Sequence, residues 1–255
     1  MIEILAYIAM VFLGLRFLVV ISNSIFHHTS RNRRWNDTPK VSVLIPVRNE
    51  ETNIGQLLDG LMKQDYENIE VIVCNDGSAD RTAEILEEYC SRYDTISWFT
   101  GKELPEGWTG KNFACHQLAE KATGDLFLFL DADMEISGDI IATSAGYIKK
   151  RELTLLSIFP RQIMLTGGER FVVPVMNWIL LSLLPLPLVV HCKWPSFSAA
   201  NGQFMFFDAG DYRKLKCHEM VKSSAVEDIR IVKILKKKKY RVSTLLGDKR
   251  VACRM

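Results

Sequence analysis

The chain has no excess of charge of either sign. Its 32 Lys and Arg stand against 30 Asp and Glu, a formal net charge of +2 over 255 residues. Nucleic-acid binders usually carry a clear basic surplus, so no nucleic-acid partner is expected. There are no paired cysteines: Cys74, Cys90, Cys115, Cys192, Cys217 and Cys253 lie far apart, with no C-x-x-C. That argues against a zinc ribbon or a disulfide framework and fits reduced thiols facing the cytosol. Neither a Walker A spacing nor a G-x-G-x-x-G is present, so neither a P-loop NTPase nor a Rossmann dehydrogenase is indicated. Repeats and low-complexity segments are missing too. With 48% hydrophobic and 24% charged residues, the chain is not disordered. Its length suffices for one large domain or two small ones, with a substantial core.

Mean hydropathy is +0.04, slightly high for a soluble enzyme, and the apolar residues concentrate in two places. The first is Ile4 to Ile21, interrupted by Arg16 and followed by Arg31, Arg33 and Arg34. Its length is near the ~20 residues that cross a bilayer. The positive charge follows the run and no good cleavage site is visible, which is not the layout of a signal peptide. Residues 1–26 are therefore expected to be a transmembrane signal anchor with the N-terminus outside, and 27–39 a basic linker. Residues 40–255 would then be a folded domain facing the cytoplasm at the cell membrane. A buried amphipathic helix is the alternative, because Arg16 is costly in lipid. The second place is Phe171 to Val190, which is uncharged but broken by Pro174, Pro185 and Pro187. A spanning helix there would separate flanks that both contribute candidate site residues. An interfacial or re-entrant segment over 171–190 is expected instead, with an apolar core helix as the alternative.

Between and after these runs, strands alternate with helices. Lys40–Val47 (KVSVLIPV), Ile69–Cys74 (IEVIVC), Thr95–Phe99, Leu126–Leu130 (LFLFL), Leu153–Phe159 and Phe204–Phe207 read as strands. Thr52–Lys63, Ala79–Tyr93 (capped by Ser78 or Asp80), Asn112–Ala122, Ser137–Lys150 and Glu227 to about Lys237 read as helices. Such alternation predicts an α/β fold with a mostly parallel sheet flanked by helices. Ligands bind such sheets at the carboxyl ends of the strands, where the polar clusters fall.

Asp131 and Asp133 follow the buried LFLFL run directly. Two carboxylates so close repel unless a cation neutralises them, and oxygen ligands of this kind suit Mg2+ or Mn2+ bridging to a diphosphate. Arg48, Asn49, Glu50 and Glu51 follow the first strand and Asp76 the second. Carboxylates there can accept hydrogen bonds from a nucleobase or ribose. Glu50 and Glu51 also suit a helix dipole, and Asp76 also suits a turn before Gly77. In Thr109-Gly110-Lys111-Asn112, glycine lets the backbone approach a ligand and Lys111 can meet phosphate. Glu227-Asp228 opens a helix, where acids ordinarily serve as electrostatic caps. Asn201-Gly202-Gln203 is a candidate lining for an acceptor cleft. Lys236 to Lys239 is either a solvated helix end or a contact for anionic lipid heads.

Taken in order, VSVLIPVRNEE (Val41–Glu51), VIVCNDGSADRT (Val71–Thr82), GDLFLFLDADM (Gly124–Met134) and VEDIRI (Val226–Ile231) resemble the family 2 glycosyltransferases, which have a GT-A fold. The resemblance covers roughly Val41 to Leu246. GWTGKNFAC (Gly107–Cys115) and the final RVACRM resemble the branch acting on polyisoprenoid lipids, the bacterial carotenoid (4,4'-diaponeurosporenoate) and hopanoid-associated glycosyltransferases. By this resemblance Pro46, Asn49 and Glu50 contact the nucleotide base, Asp76 binds uracil or ribose, and Lys111 sits beside the nucleotide. Asp133, with Asp131, reaches the metal-diphosphate. Asp228, rather than Glu227, is the catalytic base. The resemblance implies a metal-dependent, inverting hexosyltransferase that moves a sugar from a nucleotide-sugar donor such as UDP-hexose to a carotenoid or related lipid acceptor. A polyprenyl-phosphate or glycerolipid acceptor, an inactive nucleotide-binding membrane scaffold and a nucleotidyltransferase remain open. Relatives often carry Gly-Gly-His where this chain has Lys216-Cys217-His218, so a different backbone turn is expected there. Relatives also continue beyond Arg-Met, so the chain is expected to be truncated relative to the family.

Overall fold

A computed structural model describes residues 2–25 and 38–254. The basic linker proposed for 27–39 falls outside the described residues over 27–37, as do both ends of the chain. Helix α1 (Ile2–Ile25) comes first. Strands and helices then alternate as β1 (Val41–Val47), α2 (Ile54–Met62), β2 (Ile69–Asn75), α3 (Thr82–Arg92), β3 (Ile96–Thr100), α4 (Gly110–Lys121) and β4 (Leu126–Leu130). Then come β5 (Met134–Ile136), α5 (Ile140–Arg151), β6 (Leu155–Phe159), β7 (Arg161–Gln162), α6 (Gly167–Leu183) and α7 (Leu186–His191). The chain closes with β8 (Phe204–Asp208), α8 (Ala209–Leu215), α9 (Glu227–Lys237), β9 (Val242–Leu246) and β10 (Val251–Cys253).

Seven strands form the main sheet in the order β3-β2-β1-β4-β8-β6-β9. All neighbours are parallel except β8, which runs antiparallel to both β4 and β6. Side chains of β4 alternate between the two faces, as strand geometry requires. Leu126, Leu128 and Leu130 enter one core with Phe204 and Phe206. Phe127 and Phe129 enter the other, with Met205 and Phe207. Each such fully buried side chain stabilises the fold by roughly 1.5–3 kcal/mol, so the strand that delivers the Asp-Ala-Asp turn is among the most firmly held. The short strands β5, β10 and β7 make a second sheet, which the sequence pattern does not reveal. Helix α3 starts three residues later than the pattern predicts. Asp80 caps its first turn by accepting from the Thr82 backbone N–H and hydroxyl, while Ser78 instead accepts from Asn49 N.

The two apolar runs meet. Among the described residues, α1 is the one helix long and apolar enough to cross a membrane. It is not a core helix: Asn23 is its one buried residue. The Phe171–Val190 segment divides: Phe171, Val172 and Trp178 are exposed, whereas Leu186 and Val189 are buried. It forms α6 and α7 and packs against α1. Arg16 Nη2 donates to Ser182 Oγ, and its guanidinium lies 4.0 Å from the centroid of the Trp178 ring. Asn23 Nδ2 donates to the carbonyls of Leu181 and Leu184, and its Oδ1 accepts from Leu186 N at 2.8 Å. The one charge in α1's apolar run is therefore partnered, which lowers the cost of placing it in an apolar medium.

Candidate active site

A cleft of about 340 Å³ opens at the carboxyl ends of β1, β2 and β4, lined by Pro46, Glu50, Asp76, Lys111, Asp131 and Asp133 among others. Each reaches it for a local reason. Pro46 is the penultimate residue of β1, and Glu50 follows that strand. Asp76 follows β2, and its Oδ2 would stand 3.0 Å from a Cβ on Gly110, so glycine is what fits at the start of α4. Lys111 sits in the first turn of that helix. Asp131 to Asp133 is the turn between β4 and β5, closed by Met134 N donating to Asp131 O.

Asn49 does not join them. It adopts φ +56, and its side-chain oxygen accepts from Ala79 N at 2.8 Å. With Glu50 N on Thr82 Oγ1 and Arg81 N on Glu51 Oε2, it staples the loop after β1 to the loop before α3. The side chain expected at the nucleotide base thus shapes the cleft wall from behind.

Lys111 is the electrostatic centre. Its Nζ lies 2.6 Å from Asp131 Oδ1 and 3.6 Å from Glu227 Oε1. Burial alone would pull its pKa down, but the Asp131 carboxylate outweighs that and holds it above the ordinary lysine value. The lysine is therefore a permanent cation between the turn after β4 and the start of α9. Glu227 and Asp228, in the first turn of α9, are both pushed above the usual carboxylate range, first of all by burial. Gly202 makes this convergence possible. A Cβ there would stand 3.2 Å from Glu227 Oε1, 3.6 Å from Lys111 Nζ and 3.7 Å from Asp228 Cβ.

Asp133 has a different environment. Its Oδ2 accepts from Gln203 Nε2 at 3.0 Å, while its buried Oδ1 has no hydrogen-bond partner. Burial and then the neighbouring Asp131 push its pKa up. Buried polar atoms are normally paired, so an unpaired carboxylate oxygen beside a second carboxylate fits a cation. Among the described residues no cluster of three or more His, Cys, Asp or Glu stands ready to hold a metal. Asp133 and Asp131 would thus hold Mg2+ or Mn2+ with coordination positions left for donor oxygens.

Sequence reasoning missed the supports. Gln203, read as an acceptor-cleft candidate, instead positions Asp133. It is held by its backbone N–H on Asn201 Oδ1 at 2.8 Å, and its Oε1 faces Cys253 Sγ at 3.4 Å. Its place two residues after Asn201 and just before a strand was the available signal; Cys253, from a strand not anticipated, gave none. In Lys216-Cys217-His218, Lys216 takes the left-handed conformation at φ +51. His218 is buried, its Nδ1 2.6 Å from Tyr212 Oη, and burial lowers its pKa to about 3. It is a neutral packing residue against Phe129.

Residues 42–184 match the sequence profile described as glycosyl transferase family 2. The chain belongs to that family. A 4,4'-diaponeurosporenoate glycosyltransferase of Staphylococcus haemolyticus is 27% identical over 234 residues, 88% of this chain and 59% of that relative. The chain thus spans a little under three-fifths of that protein's length. Among solved structures, the Pyrobaculum calidifontis mannosyltransferase PcManGT, in complex with GDP-Man and Mn2+, superposes with a TM-score of 0.70 at 16% identity, covering 98% of this chain and 67% of that one. TarS 1–349 of S. aureus, in complex with UDP, gives 0.59 at 22% identity, covering 85% and 60%. These likenesses establish the GT-A fold, and the S. haemolyticus protein supports the carotenoid branch drawn from the motifs.

Proposed function

We propose that this chain is a membrane-associated, inverting glycosyltransferase that moves a hexose from a UDP-sugar to a lipid acceptor, a carotenoid or related polyisoprenoid. The observation that carries the proposal is the meeting of the Asp131–Lys111 pair with the Glu227–Asp228 pair across Gly202. A donor diphosphate and an acceptor nucleophile need those two kinds of group side by side. Pro46, Glu50 and Asp76 line the part of the cleft that would take the nucleoside, with Asn49 bracing it from behind.

Asp133 and Asp131 would hold Mg2+ or Mn2+, which when bound neutralises charge on the leaving diphosphate. Lys111 does the same from the protein side, turning from Asp131 toward the phosphate. Asp228 accepts the proton of an acceptor hydroxyl, or orients an acceptor that is already anionic. The new bond from the acceptor oxygen forms at the sugar carbon as its bond to the diphosphate oxygen breaks on the opposite face, so configuration inverts. Holding donor and acceptor in line supplies much of the rate. Helix α1 is read as the anchor in the cell membrane (1–26), 40–255 as the catalytic domain on the cytoplasmic side, and 171–190 as an interfacial segment beside the anchor.

The test uses membranes containing the full chain, UDP-glucose, Mn2+, and a mixture of carotenoid acid and polyprenyl phosphate. Mass spectrometry is expected to find a hexose on the carotenoid, lost about 10²–10⁴-fold in Asp228→Asn. Undiminished turnover in that variant would overturn the base assignment. A hexose on the phosphate alone would overturn the acceptor.

A further inference from the structure

The molecule has a second cleft, of about 370 Å³, which the transfer chemistry does not use. Arg151, His191, Lys193, Lys236, Tyr240 and Arg241 line it, and none of the described lining residues is acidic. It sits where α5 and α7 end and β9 begins. β6 and β9 run parallel to β4 in the sheet order, so the amino end of β9 lies at the opposite edge of the sheet from the nucleotide cleft. Along α9, Lys236 stands eight residues from Asp228, a rise of about 12 Å. This is a separate site.

Its charge is only partly spent inside the protein. Lys236 is 4% exposed, and its Nζ donates to the carbonyls of Val189, Cys192 and Phe197. It is therefore not the solvated lysine its place in a run of four suggests. It fixes the cleft floor with its ammonium group, whose pKa burial lowers to about 8. Arg241 Nη1 pairs with Glu152 Oε2 at 2.7 Å. Arg151 lies over the Tyr147 ring, its Cζ 4.7 Å from the ring centroid. Lys193 is exposed. Four cations with one acidic partner leave a surplus facing the cleft.

Its position relative to the apolar helices points to one source of anion. The 24 residues of α1 rise about 36 Å, against a hydrocarbon core of about 30 Å. With α1 across a bilayer, its last turn stands at the edge of the hydrocarbon. Asn23 in that region bonds Leu186, the first residue of α7. The six residues of α7 extend at most about 9 Å, which keeps the His191–Lys193 rim near the level of the last turn of α1. Trp194, 69% exposed and next to Lys193, is a residue type that settles at that depth.

We infer that this cleft binds the phosphate headgroup of an anionic membrane phospholipid. The inference rests on α1 being a bilayer helix. The test places the full chain in phosphatidylcholine nanodiscs with spin-labelled phosphatidylglycerol and measures its association against labelled phosphatidylcholine. Arg151→Gln/Lys193→Gln, two exposed positions, is expected to lower the preference for phosphatidylglycerol roughly 30-fold. The charge-matched Lys237→Gln/Lys238→Gln, at exposed positions outside the cleft, is expected to leave it nearly unchanged. Equal losses in the two variants would overturn the site in favour of diffuse attraction. Displacement of the lipid by 10 mM inorganic phosphate would overturn the headgroup in favour of a soluble anion. Insertion without phosphatidylglycerol preference would overturn the site alone, whereas failure to insert would overturn the bilayer reading beneath it.

Discussion

In the half of the sheet built on β1, β2 and β4, each carboxylate in the nucleotide cleft comes from the loop directly after its own strand: Glu50, Asp76, and the Asp131–Asp133 turn. In the half built on β8, β6 and β9, placement depends on distant partners. Gly202 lies against Lys111, Gln203 bonds Asp133 seventy residues away, and Lys236 ties α9 to α7 and the loop after it. The first half is assembled from local signals and the second from tertiary contacts.

If that division is right, damage in the first half should fall on donor chemistry with the fold intact. Asp133→Asn is expected to cost roughly 10³-fold or more in kcat and to abolish Mn2+-dependent UDP binding by calorimetry. UDP binding that is as tight and as metal-dependent as before would refute the assignment. Lys111→Met is expected to cost about 10²–10³-fold in kcat, as removal of a preorganised charge does. Because Lys111 also neutralises Asp131, the same variant should bind Mn2+ alone more tightly than the unmutated chain does, and weaker binding would contradict that pairing.

The acid pair sharpens the contrast through pH. Burial raises the pKa of both Glu227 and Asp228, so kcat/KM should rise with pH through a limb centred above the ordinary carboxylate value of about 4. A profile flat down to pH ~4 would remove the base from the mechanism. Stability runs the other way. A carboxyl whose folded pKa is raised binds its proton more readily folded than unfolded. Its contribution is present at low pH and lost as pH rises through the folded value. Asp228→Asn should therefore melt higher than the parent at neutral pH.

The smallest effect on chemistry is expected in the second half. Lys236→Met removes the donor to three carbonyls and should destabilise the chain by about 1–3 kcal/mol in denaturant unfolding, with UDP affinity retained. Loss of UDP affinity alongside stability would mean the two halves are not independent.

The same division decides how much could be read in advance. The α/β alternation, the mostly parallel sheet and the residues at the carboxyl ends of β1, β2 and β4 follow from period and turn chemistry within a few residues. The role of Asn49 in joining two loops is not legible locally, because its partner, Ala79, lies thirty residues on. Lys236 looked solvated because nothing in a run of lysines shows that three carbonyls will surround one of them. Arg16 was weighed as a cost to α1, yet its partner Ser182 is 166 residues away. The short strands β5, β7 and β10 have too few residues for a pattern, and exist because they pair with one another.

The knot at Asn23 has a mechanical consequence. A catalytic unit hung from a slack leash would tumble above the bilayer and present its cleft to the lipid only by chance. On the proposed reading of α1 as a membrane anchor, three hydrogen bonds from one amide to the α6–α7 turn instead give that anchor a fixed heading relative to the sheet. An unrelated spanning helix in place of α1 would preserve the address but lose the bearing. The enzyme would then meet its acceptor less often at the same surface density.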